Sequence, residues 1–292
     1  MQLSVQNLNQ LTDIACAAAL EAGALIASYS QCELKVQHKK GGDSLASQVV
    51  TEVDELSQAI VLRHLEPTLA TYDLALLSEE QVDDGSRHAK DYFWCIDPLD
   101  GTLPFTQRIP GYSVSIALVS GKGVPVIGVI YDPVKKVLYR ATQGQGAFRN
   151  GQPWSTLAAD SERAQQALRF YCDCTFDSHP DRAQLVQQME MLATEQGYAE
   201  LLLEVGGGGV LNACWVLENS PACYFKKPKL KSGGGSLWDF AATACLFQEA
   251  GAPASDFSGG VLDLNRSGSS FMNHCGVLYA TSSELSAAVQ QI

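Results

Sequence analysis

Residues 94–102 read WCIDPLDGT, and they set two carboxylates, Asp97 and Asp100, on one tight corner directly after an apolar run. Four more acidic residues stand at comparable places. Glu79 and Glu80 follow the apolar stretch LALLS, Asp239 opens WDFAATACLF, and Asp54 lies in VVTEVD. Each has an ordinary structural reading. Asp-Pro and Asp-Gly are common turn dipeptides. Thr51 with Asp54, and Ser236 with Asp239, have the three-residue spacing of a helix capping box. Glu79 and Glu80 suit a solvated strand end. Taken together the acids ask for more, because strand ends and helix starts of layered α/β proteins gather at one edge, where ligands bind. Several carboxylates there repel one another unless a cation sits between them, and hard cations such as Mg²⁺ take oxygen ligands. The turn DPLDGT can aim two carboxylates and an intervening carbonyl at one point. Gly101 and Thr102 then offer backbone N–H groups to an anion such as phosphate.

The elements that must position these acids follow from the apolar spacing. Leu11, Ile14, Ala15, Ala18, Ala22, Leu25, Ile26 and Tyr29 recur at helical intervals, so the first thirty residues predict one amphipathic helix. KKGGDS reads as a loop. A second helix is expected over 52–65, with Pro67 just past its end. Strands are expected at LALLS, YFWCI, SVSIALV, PVIGVIY and KVLYRAT, separated by turn signals. Beyond about residue 155 the pattern changes to alternation: strand ALRFYCD, helix 180–196, strand AELLLEV, then four glycines leading into the helix VLNACWVLE. Strand ACYF, helix WDFAATACLFQEAG, strand GVLYAT and helix SELSAAVQQI complete the chain. The expectation is an α+β half, 1–155, carrying most of the acids, and an α/β half, 156–292, carrying Asp239 and a lysine-rich loop, with a cleft between them.

Bulk properties narrow the function. A length of 292 residues allows a sizeable core. Twenty basic against thirty-two acidic residues give −12, which argues against a nucleic acid polymer as partner. The N-terminus lacks a basic start and an apolar signal core, and no apolar run is expected to reach bilayer length, so neither secretion nor a membrane partner is expected. Nine cysteines without zinc-ligand spacing point to free thiols and a cytoplasmic location. The five histidines show no metal-like pairing, and Trp215 and Trp238 read as packing residues.

LLSEE, IDPLDGT and WDFAATACLFQEAG, in that order and at these separations, resemble the inositol monophosphatase superfamily of Mg²⁺-dependent, lithium-sensitive phosphatases, which includes the 3'(2'),5'-bisphosphate nucleotidases. The resemblance covers nearly the whole chain. It implies a layered αβαβα sandwich. It also implies that Glu79, Asp97, Asp100, Asp239 and the Leu99 carbonyl ligate two or three Mg²⁺ ions, and that Glu80 holds a metal-bound water. Thr102 and Asp54 would orient and deprotonate the attacking water, and the N–H groups of Gly101 and Thr102 would hold phosphate. The implied activity is release of inorganic phosphate from a small phosphorylated metabolite of the inositol monophosphate type. A homodimer is compatible with the resemblance, although the sequence does not specify the assembly.

The chain departs from the family at its substrate side. Many inositol phosphatases read DGTTNF where this chain has DGTLPF, so Leu103 and Pro104 remove a hydroxyl that could touch phosphate. The stretch VGGGGVLNAC carries no side chains over 206–209, and Gly207 and Gly208 are candidate substrate contacts. Where several members place an acid for sugar hydroxyls, this chain has YFKKPKLKSGGGS. Lys226 and Lys227, with Lys229 and Lys231, could read a second phosphate, which makes 3'-phosphoadenosine 5'-phosphate the alternative substrate. A relative that binds metal or phosphate without catalysis is the third reading, and the complete carboxylate set argues against it.

Overall fold

The computed structural model describes residues 2–29, 36–38, 49–155 and 165–292, with the backbone alone at 36–38 and 49–51. The expected KKGGDS loop, the side chain of Thr51 with its capping box, and the stretch around the expected boundary, 156–164, lie outside the described residues. The elements in chain order are α1 (Val5–Tyr29), β1 (Val36–His38), β2 (Val49–Thr51), α2 (Glu52–Tyr72), β3 (Ala75–Ser78), β4 (Tyr92–Asp100), α3 (Thr102–Gln107), β5 (Ser113–Ser120), β6 (Pro125–Asp132), β7 (Val137–Thr142), β8 (Ala147–Arg149) and β9 (Gln152–Trp154). They continue with β10 (Ala167–Asp173), α4 (Arg182–Glu195), β11 (Glu200–Gly207), α5 (Gly209–Glu218), β12 (Ala222–Lys226), α6 (Leu237–Ala250), β13 (Ala254–Ser255), β14 (Val277–Ala280) and α7 (Ser283–Val289).

Two main sheets form among the described residues. The first runs β3 to β9 in sequence order. Only β3 and β4 pair in parallel in it, and the rest meander. The second has the order β11-β10-β12-β14-β13, with β10, β11 and β12 parallel. Helices α1 and α2 cover the outer face of the first sheet, α5 and α6 fill the space between the sheets, and α4 and α7 cover the second sheet. Three buried apolar clusters fill the interfaces: one between α1/α2 and the first sheet, one on both sides of α5/α6 between the sheets, and one between the second sheet and α4/α7. This is the expected αβαβα layering.

Helix α6, from the second half of the chain, packs on β4, β5, β6 and β7 of the first sheet. Its glycine-free apolar run, Phe240 to Phe247, is almost wholly buried there, and that packing brings Asp239 to the end of β4.

Two expectations are corrected. Helix α2 does not stop before Pro67 but runs through it to Tyr72. Proline costs a helix the hydrogen bond to the carbonyl four residues back. Here that carbonyl belongs to Arg63, whose side chain is exposed, on the side where water can take the bond. Helix α1 is also long and apolar enough, by length and composition, to cross a bilayer. Its apolar stripe, including Leu11, Ala15, Ala18, Ala22 and Ile26, is instead fully buried against α2 and the first sheet.

Candidate active site

The corner after YFWCI is a β-bulge rather than a turn that ends the strand. Asp97 pairs with Ser115 and Asp100 with Ser113, so β4 places one extra residue against β5 between them. A bulge bends the strand and re-aims its side chains, and it tolerates Pro98, which has no N–H for a ladder. The Pro98 carbonyl accepts from the Ser57 hydroxyl at 2.7 Å, and Asp97 Oδ1 accepts from the Leu99 N–H at 3.0 Å. The chain then turns through Gly101, at φ 80°, into α3.

The bulge and the start of α6 converge. Carboxylate oxygens of Asp97, Asp100 and Asp239 lie within 4.8 Å of one another. Asp97 and Asp100 are buried, at 1% and 4% exposure. Each acid gives one oxygen to a backbone N–H: Asp97 to Leu99, Asp100 to Val210 at 3.1 Å in the first turn of α5, and Asp239 to Ser236. The capping box of Ser236 and Asp239 is therefore real. Capping occupies one oxygen of Asp239, and a carboxylate has about four lone-pair sites.

Electrostatics test whether a cation fits. Burial, then the charges of Glu79, Asp100 and Asp239, hold Asp97 well above the ordinary carboxylate range. Burial, then Asp239, raises Asp100 against an opposing pull from Lys226. Burial also raises Asp239, again against Lys226. Three hard-oxygen acids at this separation are unfavourable as bare anions and suit a divalent ion, which satisfies them together.

The cavity around them measures about 280 Å³, and Glu79, Leu99, Gly101, Thr102, Gly207 and Gly208 also line it. Thr102 donates its hydroxyl to the Leu99 carbonyl at 3.2 Å, and that carbonyl keeps a second lone pair. Asp54 stands in the first turn of α2 at 3% exposure, near enough to Asp97 to contribute to its raised pKa. Asp54 and half-buried Glu80 are not among the residues that line the cavity.

The glycine run has a structural cause. A Cβ on Gly208 would stand 2.4 Å from Asp100 Oδ2, so a side chain there would displace the acid. The bare backbone lets α5 begin against the carboxylate.

The lysines separate. Lys226, at the end of β12, lines the acidic cavity and pairs with Asp173 at 2.8 Å. Lys227 turns the other way and donates to the Ile292 carbonyl at 2.6 Å, which removes it from the acids; adjacent residues on an extended chain point to opposite faces. Asp173 itself was missed by the sequence reading. The available signal was its place at the end of the strand ALRFYCD, the same kind of position that drew attention to Asp97.

Carboxylates converging at a strand bulge between two helix N-termini, with a backbone N–H corner beside them, have the chemistry that a metal-dependent phosphatase needs. The chain belongs to the inositol monophosphatase family, whose sequence profile matches residues 7–292. It is 29% identical to inositol monophosphatase 1 of Solanum lycopersicum over 264 residues, 88% of each chain. It is 30% identical to the Nus factor SuhB of Escherichia coli (strain K12) over 254 residues, 87% of each chain. Its fold superposes on the inositol monophosphatase of Anabaena (Nostoc) sp. PCC 7120 with a TM-score of 0.68 at 27% identity, covering 98% of this chain and 97% of that one.

Proposed function

We propose that this protein is a Mg²⁺-dependent phosphomonoesterase that releases inorganic phosphate from a small metabolite of the inositol monophosphate type. The observation that carries the reading is the meeting of Asp97, Asp100 and Asp239 within 4.8 Å beside the N–H groups that open α3. These acids, with Glu79 and the Leu99 carbonyl, would hold the ions. Bound Mg²⁺ supplies positive charge that draws electron density from the phosphate and stabilises the leaving oxygen. The Gly101 and Thr102 N–H groups orient the phosphate. The Thr102 hydroxyl would orient the attacking water and relay its proton to the Asp54 carboxylate, and Glu80 would hold a second water in place. The second water at Glu80 would give the leaving oxygen its proton, and no covalent enzyme intermediate is needed. Lithium inhibition follows, because a small hard cation competes for the same oxygens.

The name of the tomato relative supports the inositol phosphate substrate. A 3'(2'),5'-bisphosphate nucleotide is the second reading, and one observation favours it. The acidic cavity adjoins, at Asp173, Thr175, Lys226 and Gly234, a second cavity of about 740 Å³ whose walls include Lys227, Lys229 and Lys231.

The test compares kcat/KM for inositol-1-phosphate and 3'-phosphoadenosine 5'-phosphate in the wild type and in Lys229→Ala/Lys231→Ala. The expected result is a preference for inositol phosphate of about tenfold or more, about 1.4 kcal/mol, unchanged by the double substitution. A wild-type preference for the nucleotide that the substitutions abolish would replace the first reading with the second.

A further inference from the structure

Among the described residues, the walls of the acidic cavity carry five carboxylates, Glu79, Asp97, Asp100, Asp173 and Asp239, and one cationic side chain, Lys226. That lysine is not a loose loop residue. Its ammonium sits 2.8 Å from Asp173 Oδ2. Asp173 Oδ1 is fixed in turn by the Tyr224 hydroxyl at 2.8 Å and by the Asn212 amide at 3.2 Å. Asn212 is fully buried and also donates to the Gly207 carbonyl at 3.2 Å. The network lies beside the acids. The Tyr224 hydroxyl and the Asp239 Cβ stand 3.4 and 3.7 Å from the same point, the position a Cβ on Gly209 would take. Lys226 and Asp173 remain 23% and 30% exposed, so the cavity reaches both.

An ammonium and a divalent ion are alternative ways to neutralise clustered acids. Five carboxylates and one ammonium leave four negative charges, which two divalent ions balance. We propose that Lys226, locked to Asp173, is a resident cation of the metal site: it limits the site to two divalent ions at rest and weakens their hold at Asp100 and Asp239. The proposal rests on the metal-dependent reading above and fixes the ion count within it. A positive charge in the same small cavity repels an incoming divalent ion, and the effect is large because the cavity is only partly solvated. Asp173 offsets that repulsion. Burial alone would lower Lys226, but Asp173 and Asp239 outweigh it and hold the ammonium charged.

The test is Mg²⁺ binding to the full, metal-stripped chain by titration calorimetry without substrate, with bound Mn²⁺ counted by electron paramagnetic resonance. The wild type is expected to bind two ions. Lys226→Met keeps the apolar stem and removes the charge. It should tighten Mg²⁺ by about tenfold and admit a third ion at the half-buried Asp173. Asp173→Asn should weaken Mg²⁺ by a similar factor, and the double variant should return to two ions with near wild-type affinity. Lys226→Gln, which keeps a donor for Asp173, serves if thermal unfolding shows that Lys226→Met does not fold. Unchanged affinity and count in the lysine variants would overturn the proposal while leaving the phosphatase intact. A wild type that binds no divalent ion would overturn the metal site itself.

Discussion

Asp97→Asn abolishes turnover and leaves the fold in place. The carboxylate is buried at the bulge of β4, where the proposed function gives its charge a divalent ion to hold. Asparagine fills the same volume and can still accept from the Leu99 N–H, so the local turn survives. Loss of one ligand charge should lower the rate by at least about 10³-fold. The same substitution has a signature in stability. A carboxyl whose pKa is raised on folding contributes stability below its unfolded value, near 4, and loses that contribution as pH rises through the folded value. Asp97 is raised by burial first and by Glu79, Asp100 and Asp239 next. In chelator, therefore, the wild type should be more stable near pH 5 than near pH 7, and Asp97→Asn should flatten that slope. Thermal unfolding against pH in chelator, with a rate assay beside it, checks both halves. A variant that unfolds, or that keeps most of its activity, shows that Asp97 has been given the wrong role.

Thr102→Ala slows the chemical step by roughly 10²–10⁴-fold, the size of a general-base contribution, and changes Mg²⁺ affinity far less. The hydroxyl lies at the first position of α3 and touches the Leu99 carbonyl. It can therefore turn toward a water without disturbing Asp97 or Asp100. Thr102→Ser keeps the hydroxyl and should restore most of the rate. Metal titration of both variants separates the alternatives. A large loss of Mg²⁺ binding with no separate rate defect would make Thr102 a brace for the Leu99 carbonyl rather than a catalytic residue.

Much of this site could be read from residue order because its supports are local. The strand YFWCI is apolar on both faces, and both are buried, so the acids that follow it had to leave the core at one defined place. The layering was equally legible, since α1 carries its burial in its periodicity and α6 in an unbroken apolar run. What the sequence hid depends on partners distant in the chain. DPLDGT reads as a turn, and only the register against Ser113 and Ser115 shows that the strand continues through it as a bulge. The sequence offers Gly208 only as a candidate substrate contact; the second reason for a glycine there, Asp100 at 2.4 Å from where its Cβ would be, shows only in the structure. The lysine run reads as one positive patch. Its members diverge because Lys226 meets Asp173 and Lys227 meets the Ile292 carbonyl, and neither partner is near them in sequence. Pro67 misled for the opposite reason, since a helix in contact with water on one side can carry a proline there.

The most direct test of the central claim is the release of inorganic phosphate from a panel of phosphate monoesters by the metal-stripped protein. Mg²⁺ should switch the activity on, excess chelator should return it to background, renewed Mg²⁺ should restore it, and Li⁺ should inhibit it. Full activity in excess chelator, or none on any monoester with Mg²⁺ present, would contradict the account.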